Sequence, residues 1–299
     1  MRSPTTLQNV LHTPLKRSER EVLENRPKPP VDVKRKLRQH ARFGCCRCGI
    51  PIYQYHHIIP YSREQHFRVE DMMLLCPLCH DMASKGALSE AQQREIQANH
   101  FNSRRGLTGG MLHVNQEYCA VLAGGVLLAG EGPLLIANEE PLLSLSPGND
   151  GHLRLSATLY DRLGNLIALI DDNERVSGDA AIWDLEAEHR KLVVRSAANQ
   201  VAMHLSAKGE PAHLRAKFWH SGSLIDLRGV GIRVDGVNAG QEISQGLAFA
   251  GMMLKVNTLD QVVEIDSQLK SGFLISEYDP DVRLRKAIAA WQKLKPKST

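Results

Sequence analysis

No stretch of this chain stays apolar long enough to cross a bilayer as a helix. The longest run, Tyr118 to Gly130 (YCAVLAGGVLLAG), stops short of the ~20 residues a span needs and is broken by a glycine pair ahead of Glu131. Buried strands are expected there, and no membrane partner. No N-terminal signal peptide is expected either, and cysteine is scarce, with 6 in 299 residues. Four of the six stand in Cys-x-x-Cys pairs, which leaves Cys46 and Cys119 without an evident mate. Disulfides are therefore not expected; a reducing cytoplasm, where thiolates hold metal, is. With 42% hydrophobic and 23% charged residues the chain is not disordered, and its length allows two domains.

Charge is small in sum, +4, but unevenly placed. Up to Leu107 there are 18 Lys and Arg against 10 Asp and Glu, and beyond it 19 against 23. The positive excess lies with the cysteines, which favours a polyanionic partner, although a basic solvated surface would look the same.

What is there is concentrated between Cys45 and Lys85. Cys45 with Cys48 and Cys76 with Cys79 form two knuckles whose four thiolates suit a structural zinc ion. Cys46 is an alternative first ligand, but Cys46-x-Cys48 leaves one residue between sulfurs, too tight for the usual knuckle. Four sulfurs complete zinc's tetrahedron, so His56, His57, Asp71 and His80, all in the same stretch, are surplus to it and point to a second, hydrolytic centre.

The run YHHIIP, the segment EDMMLLCPLCH and the paired knuckles together resemble the HNH endonucleases, which have a ββα-metal core. In that family an acidic residue or His followed by His opens the motif, an Asn sits in the middle, and a His closes it on the helix. The resemblance covers roughly residues 31 to 100. It implies DNA as partner and phosphodiester hydrolysis as reaction, in a defence or restriction setting such as antiviral defence. Residue by residue, it implies His57 as general base, His56 and His80 as ligands of a catalytic divalent ion, and Asp71 where Asn is expected. Asp71 has no amide to donate, so it either accepts from the His57 ring or joins the metal shell. Mg²⁺ is the implied ion, with Mn²⁺, Co²⁺ or Ni²⁺ serving as well or better, because two imidazoles are softer than Mg²⁺ prefers. The alternative is a zinc-stabilised nucleic-acid-binding module without cleavage, its histidines merely supporting the zinc site.

Four segments follow from the pattern. Residues 1–30 read as a polar, basic arm, in which Lys16, Arg17 and Arg20 alternate with acidic residues. Residues 31–101 hold the metal motif, 102–110 read as a linker, and 111–299 form a β-rich unit for targeting, sensing or oligomerisation. Val31 to Phe43 has a helical apolar stripe (Val33, Leu37, Ala41) and is expected to stop at Gly44. It carries Lys34, Arg35, Arg38 and Arg42, which with Arg63 and Arg68 are the candidate phosphate contacts. Ile50 to His57 and Met72 to Leu75 read as strands, and a short helix to Ser84 carries His80. Ser89 and Gln92 form a capping box. His66 is ambiguous between a substrate or outer-shell contact and an exposed loop residue, with the exposed loop residue the commoner case.

After Met111 short apolar runs recur between turn signals, so the fold class is α+β. A ββα-metal domain with flanking helices is followed by an all-β domain, a sandwich or barrel with a β-solenoid as second choice, and a helix over Val282 to Leu294. No spacing in this half specifies chemistry. Its histidines are scattered, Trp183 and Trp219 are expected in the core, and a protein, a small ligand or a second copy of the chain are the partners to consider.

Overall fold

The structure, a computed structural model, describes residues 27–104, 110–111, 116, 118–148, 153–172, 174–176, 182–188, 190–229, 231–235, 241–244, 246–259, 262–267 and 272–294. Most of the polar arm and most of the linker thus lie outside the described residues. Among those described, no helix is long and apolar enough to cross a membrane.

The fold is α+β. Helix α1 (Val31–His40) starts directly after Pro30 and buries Leu37. It ends three residues earlier than the apolar stripe suggests, because Arg42 and Phe43 take positive φ (47° and 61°) and the Phe43 amide donates back to the Arg38 carbonyl. Strand β1 (Gln54–His57) is shorter than the run from Ile50, since Ile50 accepts from the Cys45 amide and Pro51 has no amide to donate. It pairs antiparallel with β2 (Met72–Leu75), with His56 opposite Met73 and His57 opposite Met72. All four β2 residues are buried and pack with Leu37, Ala41 and Cys45 in a small core. Helix α2 (Pro77–Ser84) begins at the second knuckle, and α3 (Glu90–Ala98) opens with the capping box read from Ser89 and Gln92.

The second half is a barrel-like array of strands, largely antiparallel hairpins. Its inner side alternates as a half-buried strand should: in Leu153–Tyr160 every second residue is buried. Parallel pairings tie distant segments together: Ala212–His220 beside Ala120–Ala123, Leu247–Ala250 beside Val126–Ala129, and Met252–Asn257 beside Gly132–Ala137. A chain of antiparallel hairpins is not the stacked parallel ladder of a solenoid, so the barrel expectation fits and the solenoid does not. Helix α4 (Pro280–Leu294) lays Ala287 and Trp291 on a face made of Ala120, Ala129, Ala248 and Ala250. Gly251 permits the approach, for it holds φ +67° and a Cβ there would lie 2.5 Å from Leu294 Cδ1.

The two halves are packed together through α1. Arg38, expected to meet phosphate, is instead 4% exposed and makes a bidentate pair with Asp184, Nε to Oδ1 at 2.8 Å and Nη2 to Oδ2 at 2.7 Å. Its Nη1 donates to the Tyr55 hydroxyl at 2.7 Å. Arg35 lies over the Trp183 ring at 4.6 Å, so that indole is half-buried under a guanidinium rather than sealed in the core. Gln39 donates to the Trp183 carbonyl. Phe43, turned away by its positive φ, sits in the core of the β half. Removing one partner of a buried, hydrogen-bonded pair strands the other charge, so Asp184→Ala is expected to cost ~3–5 kcal/mol in urea unfolding. A loss below ~1 kcal/mol would show that water reaches Arg38 once its partner is gone.

Candidate functional site

The knuckles bring the sulfurs of Cys45, Cys48, Cys76 and Cys79 within 4.8 Å of one another. The first is closed by the Gly49 amide donating to the Cys45 carbonyl at 2.8 Å. Gly49 holds φ +78°, with the Asn102 side chain 2.5 Å from where a Cβ would stand. Asn102 is buried and donates to the Arg42 carbonyl, so the packed unit includes the start of the segment read as a linker. The second knuckle caps α2, with the Cys76 sulfur accepting from the Cys79 amide. Sulfur separations of 3.7 Å (Cys48 to Cys76) and 4.0 Å (Cys48 to Cys79) match the ~3.8 Å edge of a tetrahedron with Zn–S bonds of ~2.3 Å. These residues fit a four-coordinate zinc ion. Cys46 lies outside the cluster, and burial pushes its thiol up to about 12, which keeps it neutral.

The adjacent histidines of β1 face opposite ways, as neighbours in a strand must. His56 turns to the helices: its ring is 4.9 Å from that of His80, at 89°, and its Nε2 meets Gln93 Oε1 at 2.9 Å. The Gln93 amide nitrogen is fixed on the Leu88 carbonyl, so its oxygen is the atom facing His56 and must accept. Nε2 of His56 therefore carries the proton, and the lone pair a cation would use is that of Nδ1. On His80, Nδ1 lies 3.4 Å from the Ser84 hydroxyl.

His57 turns the other way, into Tyr61, His66 and Phe67. Its Nε2 lies 3.0 Å from the His66 carbonyl, which can only accept, so the basic lone pair is on Nδ1. His66 is 8% exposed, not the solvated loop residue expected, and forms a wall of the His57 pocket.

Asp71 touches neither histidine ring by a hydrogen bond. Its Oδ2 accepts from Arg68 Nε at 2.6 Å and its Oδ1 from Arg94 Nη2 at 2.9 Å, while its carbonyl accepts from the Ile58 amide. Arg94 and Arg68 together hold the carboxyl below the ordinary carboxylate range. In place of an amide at the middle of the motif, this chain clamps the loop to β2 and α3 with an ion-pair cluster. Arg68 is half committed to that cluster and to Glu64. Lys34 sits 5.8 Å over the Tyr55 ring and Arg42 is half-buried, whereas Arg63 is exposed and forms no ion pair among the described residues. Gln93 and Arg94 were not legible in sequence: they follow a capping box on an ordinary polar helix, and nothing local distinguishes them.

Residues 45–86 match the model of the HNH endonuclease family. No curated protein and no solved structure matches the chain.

Two outcomes test this geometry. Elemental analysis is expected to give one zinc per chain, and chelation should unfold the segment around β1 and β2, since ~10 kcal/mol or more of zinc affinity is folding energy there. Zinc-free protein with wild-type stability would remove the assignment. The Asp71 clamp is complete at neutral pH, above the unfolded carboxyl value of ~3.9, and is lost as pH falls through the lower folded value. Wild type and Asp71→Asn should thus differ by ~1–3 kcal/mol at neutral pH and converge in strong acid; a gap that persists there contradicts the ion-pair account.

Proposed function

We propose that this chain is a metal-dependent HNH endonuclease that hydrolyses DNA phosphodiester bonds, with a structural zinc ion and a separate catalytic divalent ion. The observation that carries it is the His56 and His80 ring pair, set beside a four-sulfur cluster that has no use for imidazoles, within a segment that matches the family model. His56, through Nδ1, and His80 would hold one divalent ion, Mg²⁺ or the softer Mn²⁺, Co²⁺ or Ni²⁺. When bound, such an ion supplies positive charge to the phosphate and the leaving oxygen.

His57 is the general base in this proposal. A neutral imidazole whose Nε2–H is spent on the His66 carbonyl can take a proton from water at Nδ1. The walls of Tyr61, His66 and Phe67 fix the ring's rotation, so that lone pair is held in place. Asp71 is a positioning residue, acting through the β2 and α3 clamp, not a ligand. Gln93 orients His56 as outer partners of metal-bound histidines do. Lys34, Arg35, Arg42, Arg63 and Arg68 remain the candidate phosphate contacts, the exposed Arg63 foremost, while Arg38, buried against Asp184, is withdrawn from that role.

The test is plasmid cleavage with purified protein and each divalent ion, paired with direct ion binding. His57→Ala should abolish cleavage with DNA binding and zinc content intact. His80→Ala should lose cleavage together with Mn²⁺ affinity, and Gln93→Leu should weaken Mn²⁺ binding ~10–100-fold. DNA binding without cleavage under any ion would establish the zinc-stabilised binding module instead. Wild-type cutting by His57→Ala would place the base elsewhere.

A further inference from the structure

At one end of the β half, hairpin turns line an open cavity of about 350 Å³ that the nuclease chemistry does not use. Its walls come from the turn at Asp161–Asn165, the turn at Ser221–Gly222 and the start of the strand Glu140–Pro147. The walls are fixed locally. Asp161 accepts from the amides of Leu163 and Asn165, both at 2.8 Å, and Ser221 and Gly222 hold φ +44° and +84°, as a tight hairpin requires. Trp219 is paired across the sheet with Tyr160.

The polar groups are arranged for something besides each other. Tyr160 donates to Oε1 of Glu140 at 2.7 Å, which leaves Oε2 facing Nδ1 of His220 at 3.8 Å, beyond hydrogen-bond reach. His220 is 8% exposed and its Nδ1 has no hydrogen-bond partner. A buried polar atom in that condition is uncommon and calls for a partner. A carboxylate oxygen and an imidazole nitrogen side by side offer an acceptor next to a second acceptor or donor, according to tautomer. Such a pair suits the edge of a nitrogen heterocycle, with its adjacent amine and ring nitrogens.

Around that pair the surface changes character. Trp219 is half-buried, with the Lys217 ammonium 5.3 Å from its ring centroid, and Leu163, 86% exposed at the turn tip, lines the same cavity. An indole face and an aliphatic side chain are what a flat ring packs on. Arg162, on the rim, forms no ion pair among the described residues, and a guanidinium suits a phosphate. The volume lies at the small end of ligand sites, which run from ~300 to ~1,000 Å³, and so admits one base with its sugar but no duplex.

We infer that this cavity binds a single nucleobase of a nucleotide: the base lies on Trp219 with its polar edge at Glu140 and His220, and the phosphate is met by Arg162. Two sources share that chemistry, a free mononucleotide and a base swung out of a nucleic-acid strand. The site is independent of the proposed hydrolysis, because it would bind its ligand even in a chain that cuts nothing.

The full-length protein, titrated with each of the common mononucleotides and nucleosides, is expected to bind at least one at micromolar to low millimolar concentration, with quenching of tryptophan emission that Trp219→Phe removes. Arg162→Ala, at an exposed turn that cannot compromise folding, should weaken the mononucleotide ~10-fold and leave the matching nucleoside unchanged. His220→Ala should weaken both. A duplex with one bulged base separates the sources: competition by it, and not by the fully paired duplex, identifies an extruded base, and failure to compete identifies a free nucleotide. The inference is overturned if no nucleotide and no bulged duplex binds at millimolar concentration. It is equally overturned if binding survives Arg162→Ala and His220→Ala unchanged, or if a quaternary ammonium ion quenches Trp219 where nucleotides do not. Loss of cleavage in His57→Ala with nucleotide binding intact keeps this result separate from that of the nuclease proposal.

Discussion

Four thiol sulfurs from opposite ends of one stretch must arrive within 4.8 Å of each other, and most of the N-terminal unit is arranged to let them. The Cys46 amide is held by the Leu74 carbonyl, which docks the first knuckle against β2; the Phe101 amide on the Cys46 carbonyl then fastens the chain after α3 to the same point. Bare thiols give this arrangement little reason to persist, because burial disfavours the thiolates that a zinc ion would compensate. The small core around Leu37 and Met72 to Leu75 is too limited to hold two loops and three short helices without such a staple.

The period of a strand divides the remaining chemistry. Two adjacent histidines on β1 cannot face the same way, so His56 is delivered to His80 and Gln93, and His57 to an aromatic pocket. Each has its Nε2 engaged by an oxygen that accepts, which puts the protonated nitrogen of both rings at Nε2 and the imine nitrogen at Nδ1. Equal residues thus obtain unequal surroundings, one beside the His80 imidazole and an amide side chain, the other among the His66 ring and carbonyl and two phenyl-type rings. The arginine clamp on Asp71 supports both from below, since the Asp71 carbonyl receives the Ile58 amide at the end of β1.

The two halves are linked by more than a tether. The reversal at Arg42 and Phe43 puts an aromatic ring of the metal unit into the core of the β half, while α1 presents Arg38, Arg35 and Gln39 to the strand that starts at Asp184. Paired basic and acidic groups that would be worth little on a surface are desolvated here, so they specify one docking geometry. The candidate nuclease site and the cavity beside Trp219 therefore belong to one packed body.

Local chemistry sufficed for some of this. Spacing alone identified the four zinc-type ligands, because a knuckle is closed by two cysteines three positions apart, and the capping box at Ser89 and Gln92 is likewise a contact between residues three apart. Periodicity likewise located α1, β2 and α4 to within a few residues, since a helix or strand shows which side it buries wherever one side is apolar. Side-chain partners far along the chain were decided by the tertiary structure alone. A basic helix face reads as a phosphate surface until Asp184, 146 residues away, turns up beside Arg38. His66 reads as solvated until the Asp71 clamp folds its loop over β1, and Trp219 reads as core until the turns at Asp161 and Ser221 leave its ring on a cavity wall. Sequence carries each residue's period and chemistry; which charge is spent, which imidazole nitrogen is protonated and which aromatic ring stays accessible depend on neighbours that only the folded chain supplies.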